Sequence, residues 1–422
     1  MKYNLKRMYE RIYAKWTVVI TVLLVSYFLL ISPSSFASGF STSSQQDQTL
    51  KIYAYESLLD WGLDPNDTKS KVFDAFETQE SCSIELELFD DVGSTMARAI
   101  AEKNSPKADI IIGIDNVMIH EAITQDILLP YEPTTSSELS VSAVNGLDPD
   151  YHVTPYDFGF IAIIYQKDAV NSAIIPNLDN LQLSDLAKPE VAKLLVTEDP
   201  TLSSTGLGFL MWTIGVYEKV LDDNWELWWN ATRKDIQVED SWGDAFDVFY
   251  NPALNRPIMV SYATDPAYDY LFYGGTSLGA TVSHENNSKY AWLQIEGIGI
   301  LKGTENHELA KKFINWFTDE TVQELIPENN WMYPANTKAG LPESFNYAID
   351  PTTVNPLNDL FTPEEINSSL RKWQETWEQV MILGYTVTTS PFPSSIFLFG
   401  SLITISITIH FVRKRKKKNN LR

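Results

Sequence analysis

The sequence predicts an α/β protein of two lobes with a ligand cleft between them, and three observations carry that expectation. Strand-like and helix-like segments alternate from Leu50 to Gly113. A long apolar strand, Val153 to Tyr165, has the reach to cross from one lobe to another. A second strand-then-helix unit follows, centred on Asp199 to Trp212. A chain of 422 residues suits two such domains plus appendages.

Leu50–Tyr55 alternates apolar and polar residues as a strand does, and Lys71–Thr78 reads as an amphipathic helix. Ser83–Phe89 alternates again and ends in Asp90-Asp91-Val92-Gly93-Ser94. A helix over Thr95–Glu102 and an apolar strand over Ala108–Gly113 come next, the strand running out into Asp115-Asn116. This is the order of an open parallel sheet, whose ligands bind beyond the carboxyl ends of the strands. Tyr55, Asp91 to Ser94 and Asp115 therefore share one rim.

In the second unit a β-like run, Ala192 to Thr197, enters Asp199-Pro200-Thr201-Leu202-Ser203-Ser204-Thr205-Gly206-Leu207-Gly208, and a helix-compatible run leaves it. Hydroxyls at Ser203, Ser204 and Thr205 either cap that helix or bind a ligand with it. Its unpaired N–H groups also make an anion site. Trp225–Thr232 is a Trp-rich helix, and Asp240-Ser241-Trp242-Gly243 starts another with Trp242 at its exposed end. The strand Ile258–Tyr262 delivers Ala263-Thr264-Asp265-Pro266-Ala267-Tyr268 at its carboxyl end, where the chain is expected to return to the first lobe. A helix over His307–Phe317, a loop over Asn330-Trp331-Met332-Tyr333-Pro334 and a helix over Pro363–Val380 complete it. The expected division is 50–154 for the first part of lobe 1, 155–258 for lobe 2, and 259–382 for the return and terminal helices.

The flanks read differently. A basic head precedes the apolar run Trp16–Ile31, so 1–40 is expected to be a signal peptide or signal anchor, with 41–49 a linker. A linker over 383–395 leads to a second apolar run, Ile396–Val412, expected to be a transmembrane helix, and 413–422 is a basic tail that the positive-inside rule places in the cytoplasm. These flanks hold 12 of the 32 Lys and Arg; the stretch between carries 20 against 54 Asp and Glu. That balance excludes nucleic acid and suits an extracytoplasmic domain that attracts cations. The one cysteine, Cys82, excludes an internal disulfide and a Cys-based zinc cluster.

The strand-end residues sort into two chemistries. Asp91-Val92-Gly93-Ser94 and Ser203-Ser204-Thr205-Gly206, with the Trp242 indole N–H, suit a small polar or phosphorylated group. Tyr55, Tyr262, Tyr268 and Trp331 suit a flat or cationic ring, although Tyr and Trp at strand ends also serve packing. Signals for an enzyme or a metal are thin: five His residues without metal spacing, no G-x-S-x-G elbow, no P-loop, and Cys82 ahead of a strand.

Several blocks resemble the periplasmic thiamine-binding proteins of ABC importers: Tyr53-Ala54-Tyr55-Glu56-Ser57, Asp91-Val92-Gly93-Ser94, Lys107 to Asn116, Pro155-Tyr156-Asp157-Phe158-Gly159, Asp199-Pro200 with Ser203-Ser204, Ser241-Trp242-Gly243, Ser261-Tyr262, Pro266-Ala267-Tyr268 and Asn330 to Pro334. They keep their order over roughly Leu50 to Val380. The resemblance implies an α/β two-lobed type II periplasmic-binding-protein fold with an interdomain cleft for thiamine or its phosphates, no cofactor, and an ABC permease and ATPase as partners. It implies ligand-binding roles for Tyr55, Asp91, Gly93, Ser94, Ser203, Ser204, Trp242, Tyr262, Ala263, Thr264, Asp265, Pro266, Tyr268 and Trp331, and no catalytic residue. Asp91, Ser203, Ser204 and Trp242 would meet the hydroxyethyl or phosphate end, and Tyr268 and Trp331 the rings. Three departures stand out: Gly93 is one place later than in the family, Leu202 replaces an expected Thr, and Asp265 replaces an expected Ser. A carboxylate at 265 favours a cation over a phosphate. Ferric ion or polyamine binding on the same fold, or a thiaminase-like enzyme using a cleft cysteine, are the alternatives.

Overall fold

The computed structural model describes residues 48–387. The segment 1–40, the apolar run Ile396–Val412, the basic tail and most of both linkers lie outside those residues. Among the described residues no helix is long and apolar enough to cross a membrane.

Strand β1 (Thr49–Tyr55) pairs in parallel with β2 (Ser83–Phe89) along its length, and with β3 (Ile110–Asp115) on its other edge. Between β1 and β2 the helical run 65–80 begins before Lys71 because Asp64 caps it and Pro65 fits its first turn. A π turn over Ser70–Asp74 lies inside it. Helix α1 (Val92–Ala101) likewise starts ahead of Thr95, because Asp91 is its cap.

Strand β4 (Thr154–Gln166) belongs to both halves of the sheet. Its first half pairs with residues 293–298, and Ile161–Tyr165 pairs with residues 258–262. Strand β5 (Leu195–Glu198) then feeds α2 (Ser204–Ile214), every residue of which is buried. Phe209 of α2 packs against Trp229 of α3 (Trp225–Thr232) with ring centroids 5.5 Å apart. Strand β6 (Gln237–Glu239) leads into α4 (Trp242–Phe249), and β7 (Ile258–Tyr262) into α5 (Asp265–Tyr273). Residues 265–268 are therefore a helix start and not a loop: Pro266 sits in the first turn and Gly274, at φ 79°, closes the last.

The chain then stays with the second half-sheet, as β8 (Leu278–Thr281) pairs with the far end of β4. Strand β9 (Leu293–Leu301) brings it back, running antiparallel between β3 and the near end of β4. The main path of the sheet is β2-β1-β3-β9-β4-β7-β5-β6, with β8 off it on β4. Gly297 interrupts the apolar pattern of β9, and a Cβ there would stand 2.2 Å from Val153 Cγ1. Helix α6 (His307–Phe317) packs on the first half. The last helix, α7 (Pro363–Met381), sets Trp377 against Trp229 at 5.8 Å.

Ile163 is fully buried where β4 is flanked by β7 and β8. Ile163→Ala is expected to remove about 2–5 kcal/mol of stability in urea unfolding, as truncation of a close-packed core side chain does. A loss below about 1 kcal/mol would contradict the packing assigned to this strand.

Candidate functional site

The carboxyl ends of β1, β2, β5, β6 and β7 face one cavity, with about 710 Å³ of empty space including its open mouth. Its walls come from both half-sheets: Tyr55, Trp61, Asp91, Glu296 and Trp331 from the first, Ser204, Trp242, Phe246, Tyr262, Asp265 and Tyr268 from the second.

Asp91 joins the two halves. As the cap of α1 its Oδ1 accepts from Val92 N–H at 2.7 Å and from Ser204 N–H at 3.2 Å, while Oδ2 accepts from Trp242 N–H at 3.3 Å. One carboxylate thus meets the N-termini of α1, α2 and α4. The anion that the α2 terminus attracts is the protein's own side chain, not a ligand phosphate. Burial pushes the Asp91 carboxyl up, and the three amide donors pull it back. Gly93 makes the approach possible, because a Cβ there would lie 2.2 Å from the Leu202 carbonyl oxygen.

The other expected polar contacts are also largely internal. Ser203 is fully buried and caps α2 by accepting from Gly206 N–H at 3.5 Å. The Ser204 hydroxyl accepts from Gln294 Nε2 at 3.3 Å. The Trp242 indole N–H is engaged within the fold: Nε1 donates to Ser261 Oγ at 2.9 Å, and that hydroxyl donates to Asp265 Oδ2 at 2.6 Å. Thr264 donates to the Trp331 carbonyl at 2.5 Å, so it positions the ring without lining the cavity. Gly93, Ser94, Ser203, Ala263 and Pro266 are likewise not among the lining residues, and Asp115 is buried, capping the turn at Val117 and Met118.

The ring-binding wall is denser than expected. Trp61, on the loop after β1, reaches across to Trp242 and Phe246 with centroids 5.0 and 4.8 Å away. Its indole N–H is buried and has no partner among the described residues. Tyr268 and Trp331 meet edge to face at 5.4 Å. Trp331 is at φ 55°, an unfavourable conformation for a bulky residue; its indole Nε1 donates to the Trp61 carbonyl at 3.0 Å and its own carbonyl accepts from Thr264.

Glu296 is the functional candidate that the sequence reading missed. Its carboxylate accepts from Tyr55 Oη at 2.9 Å, Tyr156 Oη at 2.7 Å and Gln294 Nε2 at 2.7 Å. The available signal was slight, two polar residues at alternate positions in the apolar run of β9. With Asp91 and Asp265 it gives the cavity three carboxylates, and no lining residue is Lys, Arg or His. Burial raises Asp265 to about 7, and holds Glu296 above the usual carboxylate range against its three donors. Cys82 sits just before β2, at the opposite end of the strand from the cavity, and burial raises its thiol. It is not a cleft nucleophile.

A profile of the bacterial extracellular solute-binding proteins matches residues 64–324. The chain is 29% identical to the thiamine-binding periplasmic protein of Escherichia coli (strain K12) over 336 residues, 79% of this chain and 93% of that one. It is 28% identical to the thiamine-binding periplasmic protein of Brucella suis over 341 residues, covering 80% and 94%. Among solved structures, a periplasmic thiamin binding protein superposes with a TM-score of 0.67 at 26% identity, covering 80% of this chain and 98% of that chain. These relatives are binding proteins, and the two-lobed α/β fold is theirs.

Two outcomes test the site's architecture. Gly93→Ala should push α1 off Leu202 and speed amide exchange at Ser204 and Trp242 by about tenfold or more, the loss of one charge-assisted bond; unchanged exchange would detach Gly93 from the clasp. Asp265 holds a proton to about 7 in the fold against 3.8 ordinarily, so the folded state binds more protons between those values and stability falls as pH rises through them. Asp265→Asn should therefore stabilise the empty protein more at pH 8 than at pH 4 in thermal melts. Equal effects at both would refute the assignment.

Proposed function

The chain belongs to the bacterial extracellular solute-binding proteins, and from that premise we propose that it captures thiamine in the cleft between its half-sheets. The observation that carries this reading is a cavity of three carboxylates and no basic group, walled by aromatic side chains from both halves. Thiamine matches it: a flat cation whose thiazolium finds negative charge and ring faces together, and whose aminopyrimidine can stack. Each ring–cation contact contributes roughly 0.5–2 kcal/mol when partly desolvated. The unpartnered Trp61 N–H supplies a donor for a ring nitrogen or the hydroxyethyl oxygen. Of the thiamine forms, the one without phosphate adds no negative charge to the carboxylates. We further propose that the domain is extracytoplasmic, tethered through Ile396–Val412 and, if uncleaved, Trp16–Ile31, and that it hands its ligand to an ABC permease. The tyrosines that ferric ion would need do not favour that alternative, since Tyr55 and Tyr156 donate to Glu296.

Titration with thiamine should give saturable binding and a change in tryptophan fluorescence, while ferric ion and spermidine give neither. Trp331→Ala should weaken binding by about 3- to 30-fold, the range of one ring–cation contact. An analogue with a neutral thiophene in place of thiazolium should bind more weakly than thiamine; equal affinity would remove charge as the basis of recognition.

A further inference from the structure

We propose that Asp157 and Glu296 together select for the ligand's positive charge: with the cleft empty the pair holds one proton, and bound thiamine replaces that proton. The proposal deepens the thiamine reading and rests on it. The two residues stand directly opposite each other in the β4–β9 ladder, so their side chains share a face of the sheet. Both are buried, Asp157 completely.

Their surroundings differ in a way that assigns the proton. Glu296 receives three hydrogen bonds, from Tyr55, Tyr156 and Gln294, which suits a charged carboxylate. Asp157 receives one, from Asn330 Nδ2 to Oδ2 at 2.5 Å, and its Oδ1 has no partner among the described residues. Two buried carboxylates without a cation do not both ionise. Burial first, and Glu296 second, raise Asp157 well above the carboxylate range. The groups facing the pair from neighbouring elements are Tyr55 on β1, Tyr156 on β4, Gln294 on β9, Tyr262 on β7 and Asn330 on the loop before Trp331, with Asp91 and Asp115 acting from farther off. None of these is basic. Glu296 lines the cavity, and Asp157 lies behind it.

A monocation enters, the Asp157 proton leaves to solvent, and the net charge of the site stays the same. Positive charge stabilises the ionised form of the pair and lowers its pKa. A proton is therefore released wherever the pH lies between the values without and with ligand, and affinity rises with pH across that window by up to about tenfold per unit.

The test is calorimetry of the full chain with thiamine at pH 7 in two buffers of different ionisation enthalpy. The expected result is a buffer-dependent heat corresponding to about one proton released per thiamine. Asp157→Asn should still bind thiamine, with most of that dependence gone, and the neutral thiophene analogue should release no proton from the unaltered protein. Saturable thiamine binding with buffer-independent heat overturns the proposal while leaving the thiamine reading intact. No thiamine binding overturns both. Asp265 lines the same cavity and is raised to about 7, so the two-buffer measurement is repeated on Asp265→Asn, where about one proton should still be released; buffer-independent heat there overturns the proposal even if Asp157→Asn does not fold.

Discussion

The carboxylate of Asp91 is the interaction on which the closed cleft depends. It takes N–H groups from the first turns of three helices, one in the first half-sheet and two in the second. Each charge-assisted bond contributes on the order of 1.5–3 kcal/mol and each helix terminus a few tenths to 1 more. Burial of the carboxylate opposes these gains. The bonds to Ser204 and Trp242 cross from one half-sheet to the other, so they hold the two halves together and not either lobe by itself. The aromatic bridge from Trp61 to Trp242 and Phe246 depends on the same approach.

Behind that clasp the site buries more carboxyl groups than its own donors satisfy. Glu198, at the end of β5, is fully buried, its carboxylate oxygens have no hydrogen-bond partner among the described residues, and burial raises it well above the usual range. Asp157, Asp265 and Glu296 are raised for the same first reason. Such groups make the empty fold less stable than an apolar core of the same shape would be. On the proposed function a cation would offset part of that cost, turning a stability deficit of the empty protein into selectivity.

The sequence shows some of this plainly and some not at all. Ser83–Phe89 and Ile258–Tyr262 are readable to the residue because their alternation or apolar run is unbroken. Helix starts at Pro65 and Val92 lie ahead of the hydrophobic periodicity, since capping by Asp64 and Asp91 sets them. Strand β9 was hidden by its glycines, and Glu296 with it. Ser203 and Ser204 were legible as a helix cap, but the anion that approaches Ser204 belongs to a residue 113 positions away. No local spacing rule reaches that far. The Trp242 indole was legible as a donor, and only the fold shows that Ser261 already receives it. Eight of the fourteen residues expected to bind the ligand line the cavity, and several of the others hold those eight in place.

Strand β9 lies at the centre of the sheet yet is the last of its long strands in the chain. Tyr156 and Glu296, which meet through it, are 140 residues apart in sequence. During synthesis the first half-sheet cannot be completed until about residue 301 has emerged, because β3 and the near end of β4 both wait for the same strand, whereas the strands of the second half-sheet end at Thr281. Such contacts slow folding through the loop entropy they must overcome. The cleft wall that carries Glu296 is thus set only after every strand of the opposite half is available to pair.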